Sequence, residues 1–134
     1  MKKVEHIGIA VKDLASANQL FEKLFNQPHY KVEAVESEGV STSFFRLGET
    51  KIELLEATNE NSAIAKFIEK RGEGIHHIAF EVEDIAAEME RLTKEGFQLI
   101  HESPKEGADS KKICFLHPKS TNGVLIELCQ EKAK

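Results

Sequence analysis

Between Val4 and Val11 the chain alternates. Ile7, Ile9 and Val11 fall on one face of an extended segment, and His6, Gly8 and Ala10 on the other. That pattern predicts a strand. The period then changes to that of a helix. Leu14, Ala17, Phe21, Leu24 and Phe25 follow Asp13, a residue suited to cap a helix start. Gly39 opens a β-rich run through Phe44 and Phe45, and Gly48 punctuates a hairpin into Lys51–Glu56. Residues 62–71 predict a connecting helix with Ile64, Phe67 and Ile68 apolar, ended by Gly72 and Gly74.

The same succession then repeats. HIGIAVKDL from His6 lies over HIAFEVEDI from His77, so that Val11 falls on Val82, Asp13 on Asp84 and Leu14 on Ile85. KIELLEA from Lys51 lies over LIELCQE from Leu125, with Glu53 on Glu127. In the second half Ile85, Met89 and Leu92 form the helical stripe. A loop over Gly107–Ser110 precedes a strand over Lys112–His117, and a turn at Thr121-Asn122-Gly123 leads into a strand over Val124–Cys129. The fold read from this is α+β: two pseudo-symmetric βαβββ modules forming a curved mixed sheet around one metal-binding cavity. One domain over residues 1–134 is expected, with modules at about 1–58 and 74–131 and the connecting helix between them.

Composition narrows the partners. The chain is 40% hydrophobic and 31% charged, an ordinary globular balance, and its apolar runs are far too short to span a bilayer. A net charge of −5 argues against nucleic acid and against an anionic membrane surface as partners. Cys114 and Cys129 make neither a zinc-type pair nor a disulfide framework. Free thiols with no signal or transit segment place the expected location in the cytoplasm. Edge strands of such modules are suited to pairing into a homodimer.

Strand parity carries the chemistry. Ile52 and Leu54 take the packing face while Glu53 points away. Val124, Ile126 and Leu128 pack while Glu127 points away. Ile78, Phe80 and Val82 are assigned to the helix side, and His77 and Ala79 to the other. His6, Glu53, His77 and Glu127 therefore share the face expected to be free of helices, one His and one Glu from each half. Any one of them alone reads as a structural residue. Their recurrence at corresponding positions is what suggests a divalent metal, since two imidazoles and two carboxylates suit such an ion and leave positions open for substrate. His76 has the opposite parity and reads as a packing residue. His29 and His101 read as surface histidines, and His117 enters the Glu127 strand from a loop.

EHIGIAVKDL, KIELLEA, ENSAIAKFIEK, GIHHIAFEVEDI and FLHPKSTNGVLIELCQ together resemble the vicinal oxygen chelate superfamily, and within it the methylmalonyl-CoA epimerases, over roughly residues 3–131. The resemblance implies metal ligands at His6, Glu53, His77 and Glu127, although some epimerases carry Gln at the Glu53 position. It implies a divalent cofactor (cobalt, zinc, nickel, manganese or magnesium) and an acyl-CoA substrate. The implied reaction interconverts (R)- and (S)-methylmalonyl-CoA through an enolate, with Glu127 and Glu53 as acid and base on opposite faces of C2. One departure stands out. Some epimerases have a further carboxylate in the strand after Gly39, where this chain has Thr42, and only Glu36 and Glu38 lie nearby. Lys105, Lys111, Lys112 and Lys119 cluster around the second-half loops; each singly reads as a lysine solvating a surface hairpin, and none is assigned to the coenzyme phosphates. Two other functions share the scaffold: a glyoxalase I-type lyase acting on a glutathione adduct, and a metal-free drug-binding protein.

Overall fold

A computed structural model describes residues 1–132, so the last two residues of the expected domain lie outside the described part. The elements are β1 (Lys3–Ala10), α1 (Leu14–Phe25), β2 (Lys31–Val35), β3 (Val40–Leu47), β4 (Thr50–Ala57), α2 (Ala63–Arg71), β5 (Gly74–Glu81), α3 (Ile85–Lys94), β6 (Lys105–Glu106), β7 (Lys111–Leu116) and β8 (Ile126–Glu131). This is the βαβββ succession, twice. Within the first module the strand order is β2-β3-β4-β1, and within the second β6-β7-β8-β5. In each, the first and last strands pair in parallel and the others antiparallel.

The helix starts are set locally. Asp13 accepts from the Ala15 N–H, Ser62 from that of Ala65, and Asp84 from that of Ala87. Each satisfies an amide that the first turn leaves without a partner. Gly39 (φ +62°) ends a short exposed turn over Glu36–Glu38 before β3. A Cβ there would also lie 2.5 Å from Asn59 Nδ2, an exposed side-chain amide that would have to swing aside, so the positive φ is the stronger reason for glycine.

The chain divides into two compact units, one of His6–His76, the other of Met1–Glu5 with the chain from His77 onward. In the first unit α1 covers the sheet through Leu14, Ala17, Phe21 and Phe25, which meet Ile9, Val11, Phe45, Ile52 and Leu54. In the second, α3 places Ile85, Met89 and Leu92 against Val82, Cys114, Leu116 and Leu128, with Phe97, Leu99 and Ile126 around them. Burying each large side chain contributes about 1.5–3 kcal/mol. The N-terminal segment belongs to this second unit, where the Lys2 N–H donates to the Glu81 carbonyl (2.8 Å).

Three expectations change. Leu24 is not part of the α1 seam; it is 67% exposed, because it lies about 80° around the helix from Leu14. Val124 is exposed in the turn, and β8 starts two residues later, at Ile126. The third concerns the face carrying the histidines, which is not free of helices. Ile64, Phe67 and Ile68 of α2 pack on Ala10, Val35, Val40, Leu55 and Ala57. Ala10 and Leu55 share parity with His6 and Glu53, so α2 closes one end of that face. Parity could not anticipate a helix from the linker folding back onto the strands.

Candidate metal centre

Within the first unit, β1 and β4 lie in a register that sets Gly8 beside Glu53. His6 is two residues earlier and on the same face. Its Nδ1 lies 3.1 Å from Glu53 Oε2, with both side chains only 6% exposed. Within the second unit, β5 and β8 set Ala79 beside Glu127. His77 is again two residues earlier, and its Nε2 lies 3.0 Å from Glu127 Oε1, at 6% and 7% exposure. The same local rule therefore builds both pairs. A small residue stands opposite each carboxylate, Gly8 in the first pair and Ala79 in the second. The antiparallel neighbour is also repeated, with Phe44 beside Glu53 and Phe115 beside Glu127. The His77 ring meets Phe115 edge-on at 5.7 Å.

The donor set fits a divalent cation. Bonds of about 2.1 Å at right angles set neighbouring ligand atoms about 3.0 Å apart, against about 3.4 Å in a tetrahedral site. The separations within the two pairs, 3.1 and 3.0 Å, match the octahedral edge. They equally suit an imidazole N–H donating to a carboxylate, so each pair holds its shape without an ion.

The other histidines sort by contact. His76 packs edge-on against Phe67 at 5.0 Å, the packing role expected of it. His101 is not a free surface residue but half-buried, its ring 6.1 Å from that of Phe115. His29 is latched to Glu22, Nδ1 to Oε2 at 2.7 Å, which holds the Glu22 carboxyl below the usual carboxylate range. His117 caps the turn over Pro118–Ser120 by accepting from the Lys119 N–H.

Thr42 is 1% exposed on the Glu53 face. Glu36 and Glu38 are exposed in the turn before β3, at the Ala57 end of β4, four positions along from Glu53. Lys111 is buried with its Nζ 3.1 Å from Glu131, a pair that already occupies its charge, whereas Lys112 and Lys119 are exposed. Neither cysteine forms a disulfide and both are buried; burial pushes the Cys114 thiol up, away from the thiolate a nucleophile needs. Glu5 (2% exposed) and Lys51 (6%) are buried charges that the sequence pattern did not single out. The available signal for Lys51 was its parity, which is that of Glu53.

Comparison with known proteins gives a consistent set. Residues 5–115 match the model of the glyoxalase/bleomycin resistance protein/dioxygenase superfamily. The chain is 42% identical over 130 residues to an ethylmalonyl-CoA/methylmalonyl-CoA epimerase of Cereibacter sphaeroides, covering 96% of this chain and 97% of that one. It is 39% identical over 132 residues to the uncharacterised YqjC of Bacillus subtilis, covering 98% and 94%. A variant of Streptomyces coelicolor methylmalonyl-CoA epimerase, solved in complex with 2-nitronate-propionyl-CoA, is similar at a TM-score of 0.95 and 33% identity, with 99% of each chain covered. No helix among the described residues is long and apolar enough to cross a membrane.

Proposed function

The chain belongs to the glyoxalase/bleomycin resistance protein/dioxygenase superfamily, and from that premise we propose that it is a methylmalonyl-CoA epimerase whose His6, Glu53, His77 and Glu127 hold one divalent metal. The observation that carries this reading is the repeated buried His–Glu pair, with the same register and nearly the same separation in each half. The epimerase relatives supply the choice of substrate.

The chemistry follows from the substrate. C2 of methylmalonyl-CoA bears a proton between a thioester and a carboxylate. A bound divalent ion supplies Lewis acidity to the oxygens that take up charge as that proton leaves. Inversion then needs a base on one face of C2 and an acid on the other. Glu127 takes the proton from one epimer, and Glu53, from the other half of the repeat, returns a proton to the opposite face. The reverse reaction exchanges their roles. His6 and His77 lie 3.1 and 3.0 Å from the carboxylates through the nitrogens that would ligate the ion, so in the loaded protein they would act as its ligands and not as donors to Glu53 and Glu127, while burial keeps bulk water from competing for the enolate.

The test is proton exchange at C2 in deuterated water, followed by NMR, with metal-loaded and chelator-treated protein side by side. Metal-dependent deuterium incorporation with interconversion of the epimers is expected. No exchange from folded, metal-loaded protein refutes the reading, and turnover of methylglyoxal with glutathione under the same conditions would assign the glyoxalase reaction instead.

A further inference from the structure

The two halves repeat the His–Glu pairs faithfully, yet they differ at one position beside them. In the first half the β1–β4 register sets His6 next to Lys51. In the second, Ile78 pairs with Ile126, so the residue beside His77 is Leu125. A lysine therefore stands where the repeat has a leucine. It is not a surface lysine, being 6% exposed. Adjacent strands are about 4.8 Å apart, and residues two apart on one strand about 6.6 Å, so Lys51 lies on the same face as His6 and Glu53 and within one side-chain length of both. Among the described residues of the first half, the other cations on this face are not buried: Arg46, opposite Lys51, is exposed and lies over the Tyr30 ring, and Lys31 lies over Phe44 with its side chain 39% exposed. In the second half Lys111 is buried with the parity of Phe115, but its Nζ lies 3.1 Å from Glu131.

Charge balance gives that lysine a use. Two carboxylates offset one divalent cation. A malonyl thioester then brings a carboxylate of its own and develops a second negative charge as C2 loses its proton. The second charge arises as Glu127 is neutralised by the proton it takes, but nothing in the His–Glu quartet offsets the carboxylate that the substrate brings with it. The substrate is also lopsided, with a carboxylate on one side of C2 and a thioester on the other, and an otherwise two-fold site needs one asymmetric group to orient it.

We infer that Lys51 holds the free carboxylate of the substrate and so selects 2-carboxyacyl-CoA thioesters over simple acyl-CoA thioesters, an inference that rests on the epimerase reading above. The ammonium binds the carboxylate at the first-half end of the site, which fixes which face of C2 meets Glu53 and which meets Glu127.

The experiment compares dissociation constants of methylmalonyl-CoA and propionyl-CoA, which differ only in the carboxylate, by calorimetry on metal-loaded wild type, Lys51→Met and Lys51→Arg. The ratio of two constants from one preparation is insensitive to the fraction folded, and metal content is matched across variants. Wild type should prefer methylmalonyl-CoA. Lys51→Met should reduce that preference tenfold to a hundredfold, the worth of a hydrogen bond to a charged group, with propionyl-CoA affinity unchanged. Lys51→Arg should retain most of the preference. An unchanged ratio in Lys51→Met overturns the inference while leaving the epimerase reading intact. Failure of wild type to prefer methylmalonyl-CoA, together with absence of C2 exchange, refutes the epimerase reading itself.

Discussion

Glu127→Gln separates a two-base reaction from one that needs a single carboxylate. The substitution keeps the shape of the side chain and one oxygen acceptor 3.0 Å from His77 Nε2, but removes the charge and the ability to take a proton. Exchanging a charge-assisted contact for a neutral one costs about 1 kcal/mol of stability, or about 3–5 °C in Tm for a chain of this size. The variant should therefore fold. The catalytic loss is much larger. A positioned general base is worth about 10²–10⁴ in rate, equivalent to about 3–5 kcal/mol of barrier, and weakened metal binding adds to it. Stereochemistry makes the test specific. With Glu127 removed, Glu53 can still withdraw a proton from its own face and return a deuteron to that face. The variant should thus exchange C2 of one epimer with retention and leave the other untouched, with interconversion reduced by at least 10². Glu53→Gln should show the mirror behaviour. The assay is NMR of each separate epimer in deuterated water, with metal content measured in parallel. Interconversion by fully metal-loaded Glu127→Gln at more than a tenth of the wild-type rate would refute the assignment of Glu127 as a base.

Three other predictions follow from separate features. Adding cobalt or zinc to chelator-treated protein should raise Tm, by the equivalent of about 2.7 kcal/mol at a hundredfold excess over Kd; no shift with any divalent ion removes the metal centre. Gly39→Ala should cost about 1–2 kcal/mol in urea unfolding, since φ +62° is unfavourable for alanine and its Cβ meets Asn59; an unchanged midpoint refutes the steric reasoning. The Glu22 carboxyl titrates lower in the folded chain than in the unfolded one, mainly through the hydrogen bond from His29. Its contribution is therefore present above the unfolded pKa and lost as pH falls through the folded one. The Tm difference between wild type and Glu22→Gln should shrink below about pH 4, and a difference that persists at pH 2 contradicts the linkage.

Much of the fold was legible because its signals are local. Asp13, Ser62 and Asp84 mark helix starts through hydrogen bonds to amides two or three residues away, and such contacts need no information about the rest of the chain. The facing of His6 with Glu53, and of His77 with Glu127, was legible for a related reason. Strand periodicity is two, and the repeat shows which residues occupy equivalent positions. β2 and β6 were not located individually: β2 is a short strand with Val32 and Ala34 exposed, and β6 has two residues, so neither carries a buried alternating pattern.

The sequence by itself determined the two βαβββ modules, their helix caps, and the assignment of a His and a Glu to one face in each half, because these depend on spacing alone. Tertiary structure decided what non-local pairing and packing control. The register of β1 on β4 brought His6 Nδ1 to Glu53, and that of β5 on β8 brought His77 Nε2 to Glu127. The return of α2 onto Ala10 and Leu55 covered one end of a face that alternation left open. Burial turned Lys51 from one of 18 basic residues into a charge enclosed beside the His6–Glu53 pair. Alternation gives the side on which a residue stands; only the packed strands and helices give its neighbours and its access to water.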